Sequence, residues 1–344
     1  MQTFGLDIGG ANLKAATADG QAVTLAFPLW REPQRLPAAL RELLSTLPAP
    51  DRLAVATTGE LADCYATKAE GVREILAAVI AVAGECPIDV WQTSGEFVTP
   101  DEALDEPLLT AAANWHALAT WLGRLQPQGN ALVLDIGTTT TDIIPLEDSL
   151  PVPAGRTDVG RLLSRELVYT GVRRTPLCAV AGEIPFRGEL CPLGAELFAT
   201  TVDVYLLTGE LPEDPLDTNT ANGKPATRAA AHDRLARQLC CDRTEIELAE
   251  AAALARAFRD CQLAQIAQAV EQVLARQSGP CDQLIASGSG SFLIPAVRER
   301  IPALANAKFQ SLDKLCSPAL TEAACAFALA RLAEERWLTE LAKG

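Results

Sequence analysis

Two short stretches set an acid and a glycine turn at the end of an apolar strand: DIGGANLK, from Asp7 to Lys14, and DIGTTTTD, from Asp135 to Asp142. An aspartate closing a buried apolar run is costly unless it meets a cation or hydrogen-bond donors. The glycines let the chain turn tightly and bring backbone N–H groups close to an anion. In the first stretch Gly9, Gly10 and Asn12 are candidate phosphate cradles, and Lys14 on the return strand adds positive charge. In the second, Gly137, Thr138 and Thr139 offer amides and hydroxyls, and Asp142 follows on the outgoing strand. Taken singly, each reads as an ordinary feature: a Gly-rich hairpin with a surface lysine, or a β-branched strand whose threonines satisfy strand propensity. As a pair, each opening a domain-sized unit, they read as opposed loops that grip a polyphosphate from two sides. Asp7 and Asp135 would then hold Mg²⁺ through water.

A third element, LIASGSGSFLIP, is a buried strand, a glycine turn and a helix start. Gly288, Ser289 and Gly290 would admit a flat ligand or a phosphate close to the backbone, at a helix N-terminus that favours negative charge. Glu60 stands just past the strand RLAVATTG, where a general base belongs, and Asp142 is the other candidate for that role. The plainer reading of Glu60 is a solvated turn acid. Arg173-Arg174 is a basic pair beside Tyr169 in a strongly acidic chain and is a candidate cationic clamp; paired loop arginines are otherwise solvated. His116, Trp115 and Trp121 in AANWHALATW read as helix packing, and Cys64 as a buried thiol with no activating partner.

These residues need rigid elements behind them. FGLDIGG, NLKAATAD and QAVTLAFPL predict an antiparallel meander, followed by a helix over Leu36–Leu47, the strand RLAVATTG, a helix closed by Gly84, and the strand IDVWQT. An alanine-rich helix, TAAANWHALATWLGRL, leads out of this unit. The order restarts at ALVLDIGTTTTDIIPL, a faint internal duplication. The boundary falls at Gln126–Gly129, giving units of residues 1–127 and 128–344. The second unit carries a mostly helical insertion over about 155–275, with helices expected at Asp158–Tyr169 and Arg243–Arg276, and it ends on a helix over Pro318–Leu341.

Composition narrows the function. The chain has 344 residues, 49% of them hydrophobic and 21% charged, with a formal net charge of −15. That acidity repels nucleic acid and anionic lipid, so phosphate binding must come from amides, metal or a few local cations. Apolar runs are too short to span a bilayer, and Met1 leads directly into the first strand without a signal peptide. Ten scattered cysteines without a CxxC spacing read as reduced buried thiols in a cytoplasmic protein, and two histidines argue against a histidine-rich zinc site.

The order of phosphate loop, second phosphate loop and glycine-rich loop resembles the actin, sugar-kinase and heat-shock-chaperone superfamily. That resemblance implies an α/β fold of two ribonuclease-H-like domains flanking a ligand cleft. More narrowly, TTGELADCYATKAEGV, AANWHALATW, DIGTTTTDI and YTGVRRTP are similar to hydantoinase/oxoprolinase-related proteins of tetrahydromethanopterin-linked one-carbon pathways. This second resemblance runs over essentially the whole chain. It implies a transferase of methanofuran or methylofuran biosynthesis that joins an aminomethylfuran carrying a diphosphate to the phenol of γ-glutamyltyramine, releasing pyrophosphate. The partner is then a small phosphorylated molecule, with a homodimer left open. Two departures from the kinase pattern leave ATP as a secondary ligand: Ala11 stands where sugar kinases commonly place Ser or Thr, and Ser289 where a glycine pair is usual. The alternatives are an ATP-dependent small-molecule kinase or hydantoinase-like amidohydrolase, and a non-catalytic nucleotide-dependent regulator.

Overall fold

The computed structural model describes residues 2–342; Met1, on which the absence of a signal peptide was read, and residues 343–344 lie outside the described residues. The three opening apolar runs form β1 (Thr3–Gly9), β2 (Asn12–Thr17) and β3 (Ala22–Ala26), paired antiparallel. After α1 (Leu36–Ser45) the chain enters β4 (Arg52–Thr58), which lies parallel to β1. Next, α2 (Lys68–Ala83) starts at Thr67, whose side chain accepts from the Glu70 N–H, and stops at Gly84 with φ +59°. β5 (Ile88–Trp91) and β6 (Phe97–Val98) complete a sheet of order β3-β2-β1-β4-β5-β6. Short helices α3 (Pro100–Asp105) and α4 (Pro107–Thr110) lead into α5 (Asn114–Leu122).

The second sheet opens in the same way. β7 (Asn130–Ile136) and β8 (Thr141–Glu147) form an antiparallel hairpin, with β9 (Leu150–Pro151) paired to β8. There follow α6 (Asp158–Leu163), β10 (Leu167–Val168), α7 (Leu177–Val180) and a separate hairpin of β11 (Glu183–Phe186) and β12 (Glu189–Pro192). Helices α8 (Thr201–Thr208), α9 (Arg228–Gln238) and α10 (Leu248–Leu274) pack together before the chain returns as β13 (Gln283–Ser287), parallel to β7. Beyond α11 (Ile294–Glu299), β14 (Lys308–Ser311) extends a sheet of order β10-β8-β7-β13-β14. Last come α12 (Pro318–Glu322) and α13 (Ala324–Leu341). Each sheet therefore sets an antiparallel hairpin beside a parallel strand, β2-β1-β4 in one and β8-β7-β13 in the other. This is the two-sheet α/β architecture that the duplicated hairpins predict.

Covering layers explain the unbroken apolar runs. Every residue of β1 from Thr3 to Ile8 is buried, because helices lie on both faces of the sheet. One of them is α13, which crosses back to the first sheet from beyond the second. A Cβ on Gly5 would stand 1.8 Å from the Ala326 carbonyl oxygen, so only glycine lets this helix lie on β1. Among the described residues, no helix is long and apolar enough to cross a membrane.

Three sequence expectations are corrected. The helix expected over Asp158–Tyr169 ends at Leu163, where Arg165 at φ +63° turns the chain into β10 and pairs it with β8. The long helix begins at Leu248 rather than Arg243, because Glu247 and Glu250 form a capping box there; α9 before it was not anticipated. The terminal helix is two helices, broken at Ala323 (φ −100°, ψ 28°). All ten cysteines are free thiols, as expected, but only Cys281 is fully buried and Cys240 is exposed.

Candidate active site between two hairpin tips

The hairpin tips lie at corresponding places in the two sheets. Asp7 pairs directly across β1–β2 with Lys14, and Asp135 pairs directly across β7–β8 with Asp142. Directly opposed residues project from the same face of a sheet, so each tip carries two ionisable side chains side by side. In the first tip the Gly10 and Ala11 carbonyls accept from Leu29 and Phe27 N–H, each at 3.0 Å. In the second, the Gly137 carbonyl accepts from Val172 N–H (3.0 Å), and the Thr138 carbonyl from Arg173 and Arg174 N–H (3.0 and 3.1 Å). A trans peptide points its N–H opposite to its C=O. Fixing those carbonyls against a strap therefore turns the N–H groups of Ala11, Asn12, Thr138 and Thr139 the other way, as an anion cradle requires.

Both straps are glycine-backed. A Cβ on Gly59 would stand 3.2–3.3 Å from Gly9 C and Gly10 N, and one on Gly171 would stand 2.5 Å from Thr138 C and Thr139 N. The second strap is held further by Gln262 of α10, which donates to the Thr170 hydroxyl and the Gly171 carbonyl, both at 2.8 Å. The glycine turn after β13 packs on the same corner. Gly290 N–H donates to the Ile136 carbonyl at 2.7 Å, and Gly288 at φ +87° lies so close to Asp135 that a Cβ would meet its Oδ1 at 2.5 Å. Ser289 between them is exposed.

Asp7 is buried and accepts from the Thr58 hydroxyl at 3.0 Å and from the Asn114 amide at 3.4 Å. Asp135 is pushed up to about 6, first by burial and then by the like charge of Asp142; Asp7 adds to this and Lys14 opposes it. The two tips thus face each other closely enough for residues of one sheet to perturb an acid of the other. Further contacts join the halves. Lys68 at the start of α2 pairs with Asp158 at the start of α6, and the Arg174 guanidinium stands 6.0 Å from the Trp30 ring centroid. Lys14 donates from Nζ to the Glu322 carbonyl at 2.8 Å, which anchors its ammonium beside the cleft.

The proposed bases differ sharply. Glu60 is 2% exposed, so it is not a solvated turn acid, and its Oε2 has no hydrogen-bond partner. Burial lifts it to about 7, with the Asp158 charge adding and Lys68 opposing. Asp142 is held at 2.8 Å by Arg161, a 1% exposed guanidinium that also stacks 3.9 Å from the Trp115 ring centroid. Burial pushes Asp142 up, while Arg161 pulls it back. Of the basic pair, Arg173 is engaged by Asp217, whereas Arg174 is exposed. His116 is buried against Trp91 and Trp115, and burial lowers it to about 4, as a packing histidine should be.

Asp7 and Asp135 bring two carboxylates from opposite sheets, with Lys14 nearby to offset their repulsion and tip carbonyls turned into the straps. That donor set fits Mg²⁺, a hard cation that takes one or two carboxylates and keeps waters or phosphate oxygens for the rest. Among the described residues no group of three or more His, Cys, Asp or Glu side chains forms a fuller metal cage. Sequence reasoning missed Thr58, Asn114 and Arg161, the partners of the tip acids. Asn114 and Thr58 sit inside the quoted AANWHALATW and TTGELADC segments; nothing local marks Arg161.

Comparison with known proteins finds a family, relatives and solved structures similar to this chain. Residues 51–336 match a family model described as hydantoinase/oxoprolinase. A protein of Methanocaldococcus jannaschii named (4-{4-[2-(gamma-L-glutamylamino)ethyl]phenoxymethyl}furan-2-yl)methanamine synthase is 37% identical over 247 residues, covering 71% of this chain and 73% of that protein. A protein of the same name from Methanococcus vannielii is 36% identical over 121 residues, 35% of this chain and 54% of its own length. Among solved structures, nucleotide-free acetone carboxylase superposes with a TM-score of 0.53 at 10% identity, over 96% of this chain and 69% of that one, a likeness of fold alone.

Proposed function

The chain belongs to the hydantoinase/oxoprolinase family, and from that premise we propose that it is a transferase joining an aminomethylfuran-methyl diphosphate to the phenol of γ-glutamyltyramine, with release of pyrophosphate. The relatives' name describes the ether such a coupling forms. The observation that carries the reading is the facing pair of hairpin tips, with amides turned out and one acid from each sheet between them.

In this reading Asp7 and Asp135 would hold Mg²⁺. When bound, the ion supplies positive charge against the leaving diphosphate. The turned-out amides of both tips and Lys14 bind and orient the diphosphate, Arg173 being held instead by Asp217, and Gly288–Gly290 close the corner beside Asp135. The phenol oxygen forms the new bond to the furan CH₂ carbon, and the C–O bond to diphosphate breaks with its electron pair leaving on phosphate oxygen. The electron-rich furan shares positive charge at that carbon, so bond breaking can run ahead of attack. Glu60, at about 7, is ionised in part at neutral pH and takes the phenol proton, whereas Asp142 is committed to Arg161. This gives the chain a place in methanofuran or methylofuran biosynthesis.

Incubation with the furan diphosphate, γ-glutamyltyramine and Mg²⁺ should give the ether and one pyrophosphate by mass spectrometry, equally with and without ATP. An absolute need for ATP, with phosphate or ADP appearing instead, would favour the second reading, an ATP-driven kinase or amidohydrolase. Gly288 and Gly290 are packed tightly on the end of β7, so of this turn only the exposed Ser289 is open to the phosphate or flat ligand that alternative needs.

A further inference from the structure

Trp30 is a large aromatic side chain, 38% exposed, at the point where the strap of the first tip ends: Leu29 N–H, one residue earlier, is bonded to the Gly10 carbonyl. Arg174 hangs from the strap of the second tip, its N–H bonded to the Thr138 carbonyl. Both side chains are therefore fixed at the root by the loops that form the cleft, one from each half. Two guanidinium groups converge on the indole: Arg31 Cζ lies 5.9 Å and Arg174 Cζ 6.0 Å from the ring centroid. Among the described residues neither arginine is paired with a carboxylate, although the chain holds 44 acids against 29 Lys and Arg. Adjacent Arg173, by contrast, is occupied by Asp217.

We propose that Trp30, Arg31 and Arg174 form the acceptor subsite at the cleft mouth, taking a phenol on a flexible tether that ends in a carboxylate. The indole offers a flat apolar face to the ring or tether, and the two guanidiniums give planar donor forks that match a carboxylate. The position suits the order of reaction: the diphosphate sits deeper, between the tips, and the acceptor covers it from outside. The proposal rests on the coupling reading for the identity of the phenol, and it gives Arg174 a different ligand from the diphosphate suggested by its pairing with Arg173. The carboxylate preference itself follows from the two unpaired cations.

The test is calorimetric titration of the full chain, without any furan diphosphate, using N-succinyltyramine and its uncharged methyl ester. Wild type should bind the acid more tightly than the ester. Arg31→Ala and Arg174→Ala should each weaken the acid about fivefold and leave the ester within about twofold, while Trp30→Leu should weaken both. Equal losses for acid and ester in the arginine variants, no loss for either, or no wild-type preference for the acid would each overturn the subsite. If the preference and its loss are seen but no ether forms in the coupling assay, the coupling reading fails and the subsite stands. If the ether forms with an unchanged KM for γ-glutamyltyramine in both arginine variants, the subsite fails and the coupling reading stands.

Discussion

The two hairpin tips share a backbone and differ in charge. Both begin Asp-Ile-Gly at the end of a buried strand, both turn their carbonyls into a glycine-backed strap, and both place an ionisable residue directly opposite the aspartate. In the first tip that residue is Lys14; in the second it is Asp142. Asp7 thus faces a cation, whereas Asp135 faces a second acid that is neutralised from behind by buried Arg161. The difference teaches that the duplicated part is the strapped backbone of the turn. The side chains have diverged, so that one tip sets a lysine opposite its aspartate and the other a second acid.

The largest effect should come from removing the acids that the tips share. Asp7→Asn and Asp135→Asn should each lower Mg²⁺-dependent pyrophosphate release by about 10³-fold or more while circular dichroism stays native. Undiminished turnover in both variants would show that the tips do not share an ion. The next effect separates the two opposed residues. Arg161→Met strands Asp142 in a part-buried site and should cost about 3 kcal/mol in urea unfolding, most of it recovered by adding Asp142→Asn. Lys14→Met loses one charge-assisted hydrogen bond to the Glu322 carbonyl and should cost about 1 kcal/mol. Equal costs would erase the asymmetry between the tips.

A pH-dependent effect sits behind the first tip, at Glu60. Its folded value, about 7, lies above the ordinary 4.5, so the native state holds the proton more tightly than the unfolded chain. Its contribution to stability is fully present below about pH 4.5 and is lost as pH rises through about 7. Glu60→Gln should therefore raise stability by about 3 kcal/mol at pH 8, with the gain fading toward pH 4.5, even as coupling activity falls. A gain that is flat across pH would remove the buried carboxylate from this account.

Much of this arrangement was legible in the sequence, for a local reason: strand, glycine turn and return strand are encoded within a few residues, and their repetition exposed the pairing of sheets. The partners were not. Arg161 lies in DVGRLL, where the arginine is buried while Val159 and Leu163 are 66% and 81% exposed, the reverse of what hydropathy suggests. Its burial depends on Asp142 and Trp115, which other elements bring to it. The same held for the helix expected over Asp158–Tyr169, where pairing of Leu167 and Val168 with β8 overrode local helical spacing. Glu60 was found by its place after a strand, but only the packed structure distinguishes a buried acid with an unpartnered oxygen from a solvated one.

The return of α13 to β1 has a consequence for how the chain is made. During synthesis β1 to β6 leave the ribosome early, yet one face of that sheet, including the groove opened by Gly5, waits for Ala326 and its neighbours to emerge. Until then the half-built sheet presents an uncovered apolar surface, a demand on chaperones that a simple bead-on-string pair of domains would not make.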